Sequence, residues 1–222
     1  MSNAPSERPL TGVPKASPEE AVARLLHVAA REVGGVCRRT DYASIAAAGC
    51  LIREAEARGG RVHVTGVGKP SHVAHYAAAL LSSTGTPATF LHATEAAHGS
   101  VGQLQPGDVV IAISNSGETL ELLTCIDAVR EFGACVIAVT AHADSTLGRS
   151  ANLVLEACVA EEGGPLGLAP HASVLAQLVV LAALSVELEA SKGFKREDYR
   201  RRHLAGALGK RSAADPPDPE DR

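Results

Sequence analysis

Between Arg61 and Leu155, short apolar runs alternate with longer stretches of helical period. The runs are Val62–Thr65, Ala88–Leu91, Val109–Ser114, Cys135–Thr140 and Leu153–Leu155. The stretches between them predict helices from about Ser71 to Ser83 and from Thr119 to Phe132. Strands that are apolar at every position, not at every second one, belong to a sheet covered on both faces. Strand–helix alternation of this kind predicts an α/β fold, a parallel sheet between two layers of helices.

Upstream, Ser17-Pro18-Glu19-Glu20 reads as a capping box with Pro at the first helical position. Val22, Leu25, Leu26, Ala29, Ala30 and Val33 follow as one apolar stripe. A second helix spans Tyr42 to Arg58 and stops at Gly59-Gly60. Downstream, a long helix from His171 to Glu189 and a short one over Lys195–Arg202 are expected. Residues 1–16 and 212–222 lack apolar periodicity and are expected to be disordered, which leaves residues 17–211 as one domain. The sequence shows no internal repeat.

Composition narrows the function classes. Of 222 residues 45% are apolar, only 3% are aromatic, and Trp is absent, so the core is built from Ala, Val, Leu and Ile. A net charge of −4 argues against a protein held to nucleic acid by bulk charge. No apolar run reaches the ~18 residues of a membrane span. The N-terminus lacks the apolar stretch of a signal peptide, which makes a cytoplasmic location the expectation. The five cysteines include no CxxC pair, and Cys125, Cys135 and Cys158 are expected as reduced packing residues.

Ligands of such sheets bind beyond the carboxyl ends of the strands. After the first strand comes Gly66-Val67-Gly68-Lys69-Pro70-Ser71, two glycines and a cation at a helix start. Its spacing fits neither G-x-G-x-x-G nor a P-loop. After the third comes Ser114-Asn115-Ser116-Gly117-Glu118-Thr119. Capping a helix needs one hydroxyl, and this loop has three, so an anion such as phosphate at the helix N-terminus is the better reading. After the second, His92, Glu95 and His98 stand three apart. They are candidates for a metal or for polar substrate contacts, and solvated loop residues are the bland alternative. Glu161-Glu162-Gly163-Gly164-Pro165 follows the last strand, and His203 follows the last short helix. Taken alone, the paired acids read equally well as solvent-facing, and His203 reads better as a surface histidine.

Together the stretches GVGKPSH, SSTGTP, EAAHGS, VVIAISNSGET, PLGLAP and HLAGALGK resemble the sugar isomerase (SIS) domain of bacterial D-arabinose-5-phosphate isomerases, over about residues 18–211. The resemblance implies a three-layer αβα sandwich with a five-stranded parallel, flavodoxin-like sheet. It also implies a homotetramer with sites shared between subunits, and interconversion of D-ribulose 5-phosphate and D-arabinose 5-phosphate without a cofactor. On the same ground Lys69, Glu121, Glu162 and His203 match catalytic positions. Gly85, Thr86 and His98 match substrate contacts, His92 a position that takes an inhibitory zinc, and Ser114, Asn115, Ser116 and Thr119 the phosphate loop. In mechanistic terms Glu162 is the expected carbon base, with His203 from a neighbouring subunit opening the ring or moving protons between oxygens. Lys69 would neutralise substrate charge and Glu121 would orient Lys69 or a hydroxyl.

Several positions depart from the family pattern. Leu204-Ala205 replaces Pro-Gly after His203, His171 replaces a hydroxyl residue, and Ser100 replaces Asp. The pair of CBS modules common in the family is not present in this sequence, so a stand-alone catalytic domain is expected. The rival readings are an isomerase of another sugar phosphate, such as sedoheptulose 7-phosphate, and a non-catalytic sugar-phosphate sensor.

Overall fold

The five apolar runs form one all-parallel sheet in the order β2-β1-β3-β4-β5. In the computed structural model, which describes residues 16–205, the strands are β1 (Val62–Gly66), β2 (Ala88–Phe90), β3 (Val109–Ile113), β4 (Cys135–Thr140) and β5 (Leu153–Glu156). Expectations for residues 1–15 and 206–222 lie outside the described residues. Val62 pairs with Ala88 on one side and Val109 on the other. Val109 in turn pairs with Cys135, and Ile137 with Leu153. The chain leaves β1 in one direction to reach β2 and returns across it to β3. The loops after β1 and β3 therefore diverge, which opens a crevice at their carboxyl ends.

The helices are α1 (Pro18–Arg39), α2 (Tyr42–Ala57), α3 (Lys69–Ser83), α4 (Ala93–Ala96), α5 (Leu120–Glu131), α6 (Thr146–Ser150), α7 (Ala172–Ser191) and α8 (Arg196–Arg202). The α1 capping box is formed: Ser17 N donates to Glu20 Oε2 at 2.7 Å, and Glu20 N to Ser17 Oγ at 3.1 Å. Asp41 caps α2 through the N–H groups of Ala43 and Ser44. Alternate residues of each strand feed two cores. Val64, Ile111, Ile113, Ile137 and Val139 face α2, α3 and α7. Val110, Ala112, Val136 and Ala138 face α5, whose Leu122, Ile126 and Val129 are buried against them.

Three expectations need correction. The α1 stripe is rotated: Val22 and Leu26 are exposed, whereas Val28, Glu32, Gly35 and Val36 are buried. A buried carboxylate cannot be read from an apolar pattern, and Glu32 sits where that pattern breaks. Next, α7 does have the length and mean hydropathy (1.7) of a membrane span. Here it is the central core helix, with Val180, Leu181, Leu184 and Leu188 in the larger core. Finally, α4 and α6 were not predicted, because four or five residues are too few to show a period. Among the cysteines only Cys125 is buried; Cys135 and Cys158 are partly exposed, and all five are unpaired. Burial pushes the Cys125 thiol up to about 11.

At the amino end of the sheet His63 and Asp108 form a buried pair. His63 Nε2 donates to Asp108 Oδ2 at 3.1 Å, and His63 Nδ1 accepts from the Thr89 hydroxyl at 3.1 Å. Asp108 also receives the N–H groups of Arg61 and Gln105. Burial pushes His63 below the usual histidine range, and outweighs the opposing pull of Asp108. The unfolded chain therefore takes up a proton near pH 6.5 that the folded chain refuses. Stability is expected to fall as pH drops through the histidine range toward 5, and a His63→Asn variant should lack that part of the fall. Thermal melts at pH 7.5 and 5.5 check this; parallel losses in both proteins would contradict it.

Candidate active site

The crevice between β1 and β3 is lined from both sides. After β1, Gly66 lets the loop double back: a Cβ there would stand 2.9 Å from the Pro70 carbonyl group and 3.1 Å from Ile113 O. Gly68 holds φ +67°, a conformation that favours glycine, and no side chain caps the N-terminus of α3. Lys69, exposed, begins that helix.

After β3 the three hydroxyls have distinct surroundings. Ser114 is buried; its Oγ accepts from Gly117 N at 3.1 Å and lies 3.3 Å from Thr119 Oγ1. Ser116 is exposed and accepts from Glu118 N at 3.2 Å. Thr119 occupies the N-cap of α5 but makes no side-chain cap bond. The hydroxyl cluster is thus not a cap, and the first N–H groups of α5 are left for another acceptor. The loop is anchored from behind. The Asn115 carbonyl accepts from Ala141 N, Gly117 O from Leu147 N, and Glu118 Oε1 from Thr146 N at 2.8 Å. Gly117 holds φ +67°, and a Cβ there would lie 2.0 Å from Ser145 Oγ, so no side chain fits. The buried Asn115 Oδ1 has no partner. Glu121 lies exposed in the first turn of α5, where the helix dipole favours an anion.

Glu162 has two neighbours that sequence reading did not foresee. Its Oε2 accepts from Ala172 N at 2.8 Å and Ser173 N at 3.1 Å, so it caps α7 across the loop. No described group donates to its Oε1. Glu161, one residue earlier, points the other way and binds Arg24 and Arg31 of α1 at 2.5 and 2.8 Å. Pro170 and Val174 border a groove with Lys69, His72 and Tyr76, which puts the start of α7 at the same end of the sheet as α3. The ring of His171 lies against Gly164. The N-termini of α3, α5 and α7 thus converge on one end, and two of them carry no side-chain cap.

The remaining site residues divide. His92 and His98 follow β2 and are exposed. His92 Nδ1 caps α4 by accepting from Glu95 N, and it lies 3.0 Å from Thr94 Oγ1. Among the described residues no three His, Cys, Asp or Glu side chains stand close enough to hold a metal ion. Gly85 and Thr86 follow the C-terminus of α3 and precede β2, at the amino end of the sheet, whereas Lys69 starts α3 at the carboxyl end; His203 follows α8 beyond the C-terminus of α7. Thr86 is buried and its hydroxyl accepts from Lys192 Nζ at 2.6 Å. Lys192 also reaches Gly85 O at 3.3 Å and Glu56 at 2.7 Å. Phe194 packs over Gly85, and the Arg202 guanidinium stands 5.1 Å above its ring. His203 stacks on Tyr199 with ring centres 3.8 Å apart. Its Nδ1 lies 2.9 Å from Tyr199 O. A carbonyl only accepts, so Nδ1 carries the hydrogen, and Nε2 has no hydrogen-bond partner among the described residues. Lys192 and Phe194 had no sequence signal, since each is a single ordinary residue just past a helix.

A family model described as "SIS domain" matches residues 56–187. Arabinose 5-phosphate isomerase KdsD of Pseudomonas aeruginosa is 43% identical over 152 residues, covering 68% of this chain and 47% of that protein. The KdsD of Escherichia coli K12 is 45% identical, covering 68% and 46%. The chain thus spans about half the length of these curated relatives. A solved structure, E. coli CFT073 c3406 in complex with A5P, superposes with a TM-score of 0.75 at 36% identity, covering 80% of this chain and 93% of that one.

Proposed function

The chain belongs to the SIS domain family, and from that membership and the crevice geometry we propose that it interconverts D-arabinose 5-phosphate and D-ribulose 5-phosphate. The observation that carries the reading is the uncapped N-terminus of α5 beneath Ser114, Ser116 and Thr119, one strand from Lys69. Hydroxyls and backbone N–H groups bind a phosphate with little net charge. The relatives act on, or are solved with, this sugar phosphate by name.

The reaction moves a carbonyl from C1 to C2. A base takes the proton from C2 of the aldose while O1 gains one, which gives an enediol. The hydroxyl on C2 then loses its proton, and a proton returns to C1. The electron pair stays within the sugar, so no external electron carrier is needed. Glu162 is the carbon base, its Oε1 free while Oε2 stays on α7. Lys69 offsets the charge on the enediolate and phosphate, and Glu121 orients Lys69 or a sugar hydroxyl. His203 moves protons between O1 and O2 through Nε2.

This assignment requires a second copy of the chain. Within one copy Gly85 and Thr86 stand at the amino end of the sheet, and His203 follows α8 beyond the far end of α7, away from Glu162 at the start of α7, so they would serve the crevice of a neighbour. A homo-oligomer, most simply a tetramer, also covers apolar surface in two places. One is the groove between α2 and α7 at Tyr42, Ile45, Val179 and Val186. The other is the loop beside the crevice, where Leu166 and Leu168 are 82% and 81% exposed. The proposed ligand is a small sugar phosphate, with no membrane or nucleic acid involved, in the cytoplasm. A zinc at His92 would use Nε2 and ligands outside the described cluster.

Turnover of arabinose 5-phosphate in a coupled assay, beside sedoheptulose 7-phosphate and other sugar phosphates, tests the reading directly. Binding without turnover of any of them would favour a sensor. Ser116→Ala removes the exposed hydroxyl and should weaken substrate binding by ~0.5–1.5 kcal/mol, or more if the bond is charge-assisted. Calorimetric titration with arabinose 5-phosphate checks it, and unchanged affinity would remove Ser116 from the phosphate site.

A further inference from the structure

Residues 157–171 join β5 to α7 without helix or strand, and they carry Glu162. A base on such a segment needs something else to hold it, because a displacement of about 1 Å at a reacting group can lower turnover ~100-fold. Ala157 N donates to Thr140 O of β4 at 2.8 Å; from Cys158 to Gly163 the hold outside Glu162 itself comes mainly from α1. Arg39 Nη2 donates to Cys158 O at 2.8 Å. Ala160 N donates to Glu32 Oε2 at 2.9 Å. Glu161 takes Arg24 and Arg31. Gly163 lies bare against Leu25 and Val28, where a Cβ would stand 3.0–3.2 Å from their side chains. Contacts on both sides of Glu162 thus run to one helix, while its own carboxylate reaches α7.

Glu32 is the central point of this grip. It is 6% exposed on an otherwise apolar face, and Arg31 binds its Oε1 through Nε and Nη2 at 3.1 and 2.7 Å. The Ala160 N–H and the Arg31 guanidinium hold its carboxyl below the usual carboxylate range. A buried charge with both oxygens bonded is costly to displace and well suited to fixing one backbone position. Each of its neighbours on that face, Val28 and Val36, would have served the core alone.

We propose that Glu32, held by Arg31, is a positioning residue for Glu162, contributed by a helix that lies wholly before the matched stretch 56–187. The inference rests on Glu162 acting as the base, and its test separates the two. Glu32→Gln in the full chain leaves one oxygen where two donors converge. It should lower kcat by ~10–100-fold and leave KM for arabinose 5-phosphate within about twofold. In a Glu162→Gln background the same change should have no further effect on kcat, because the residue it positions is already gone. Hydrogen exchange gives a readout independent of turnover: the Ala172 and Ser173 amides, capped by Glu162, should exchange faster in Glu32→Gln, while those in β3 and β4 stay protected. Equal losses of kcat in both backgrounds, or unchanged exchange at Ala172 and Ser173, would overturn the proposal. A wild-type rate in Glu162→Gln would instead remove the base assignment, and the exchange result would decide alone whether Glu32 holds the segment. If Glu32→Gln does not fold, Arg31→Gln, on a half-exposed side chain, carries both readouts.

Discussion

Glu162→Gln is expected to lower kcat by ~10²–10⁴-fold, the usual worth of a general base in proton transfer. The amide oxygen of Gln can still accept from Ala172 and Ser173, so α7 keeps a cap. Even full loss of a cap costs only ~0.5–2 kcal/mol, within the reach of a melting curve. Affinity for the sugar phosphate should change little, since the phosphate loop lies on β3 and α5. Glu161→Gln is the control. It carries the same charge one residue away, but its ion pairs run to solvent-exposed arginines of α1 and such pairs contribute little, while Glu32 still holds Ala160. Its turnover should stay near wild type. Solvent deuterium incorporation at C2 of arabinose 5-phosphate reads the step itself. Normal exchange in Glu162→Gln would move the assignment to Glu121, and loss of exchange in Glu161→Gln alone would move it to Glu161.

The second large effect is one of complementation. Lys69→Ala and His203→Ala should each be nearly inactive as purified homo-oligomers. Unfolded together and refolded, or co-expressed, they should regain about a quarter of wild-type activity per site, since random assembly leaves that share of crevices with both residues intact. The recovery should grow with the mixing of tagged and untagged subunits and vanish if they are kept apart. No recovery in demonstrably mixed oligomers would show that His203 serves no neighbouring crevice. A monomer mass by light scattering at micromolar concentration, with full activity, would show the same.

The pH dependence of stability has a different source from that of catalysis. His63 and Asp108 lie at the amino end of the sheet, away from the crevice, so the loss of stability toward pH 5 should not follow the turnover profile. Glu32 and Glu161, both held below the usual range by donors on or facing α1, lose their contribution only at more acid pH.

Much of this architecture was legible in the residue pattern. Runs apolar at nearly every position pointed to strands of a doubly covered sheet, and their alternation with helical stretches to parallel pairing. Strand positions came within one or two residues, Cys135–Thr140 without change. The two βα turns at the crevice were also readable as turns, because glycines and clustered hydroxyls mark a helix start. Here the structure sharpened the reading: Thr119 stands at the N-cap of α5 without a side-chain cap bond. What escaped was whatever depends on distant contact. The apolar stripe on α1 was misplaced because Glu32 and Gly35 belong to the buried face, one charged and one bare, and neither counts as apolar. The length of α7 matched a membrane span, yet its surroundings make it a core helix.

By itself, then, the sequence determined the sheet, its helical layers and the glycine- and hydroxyl-rich turns after β1 and β3, because period and turn chemistry are local properties. Only the tertiary structure decided which of two adjacent carboxylates faces α7 and which faces α1. Only it separated His203, Gly85 and Thr86 from Lys69 by the full height of the sheet. Those outcomes depend on where helices far apart in the chain come to lie, and on which donors meet a buried charge there, and no local pattern of residues encodes either.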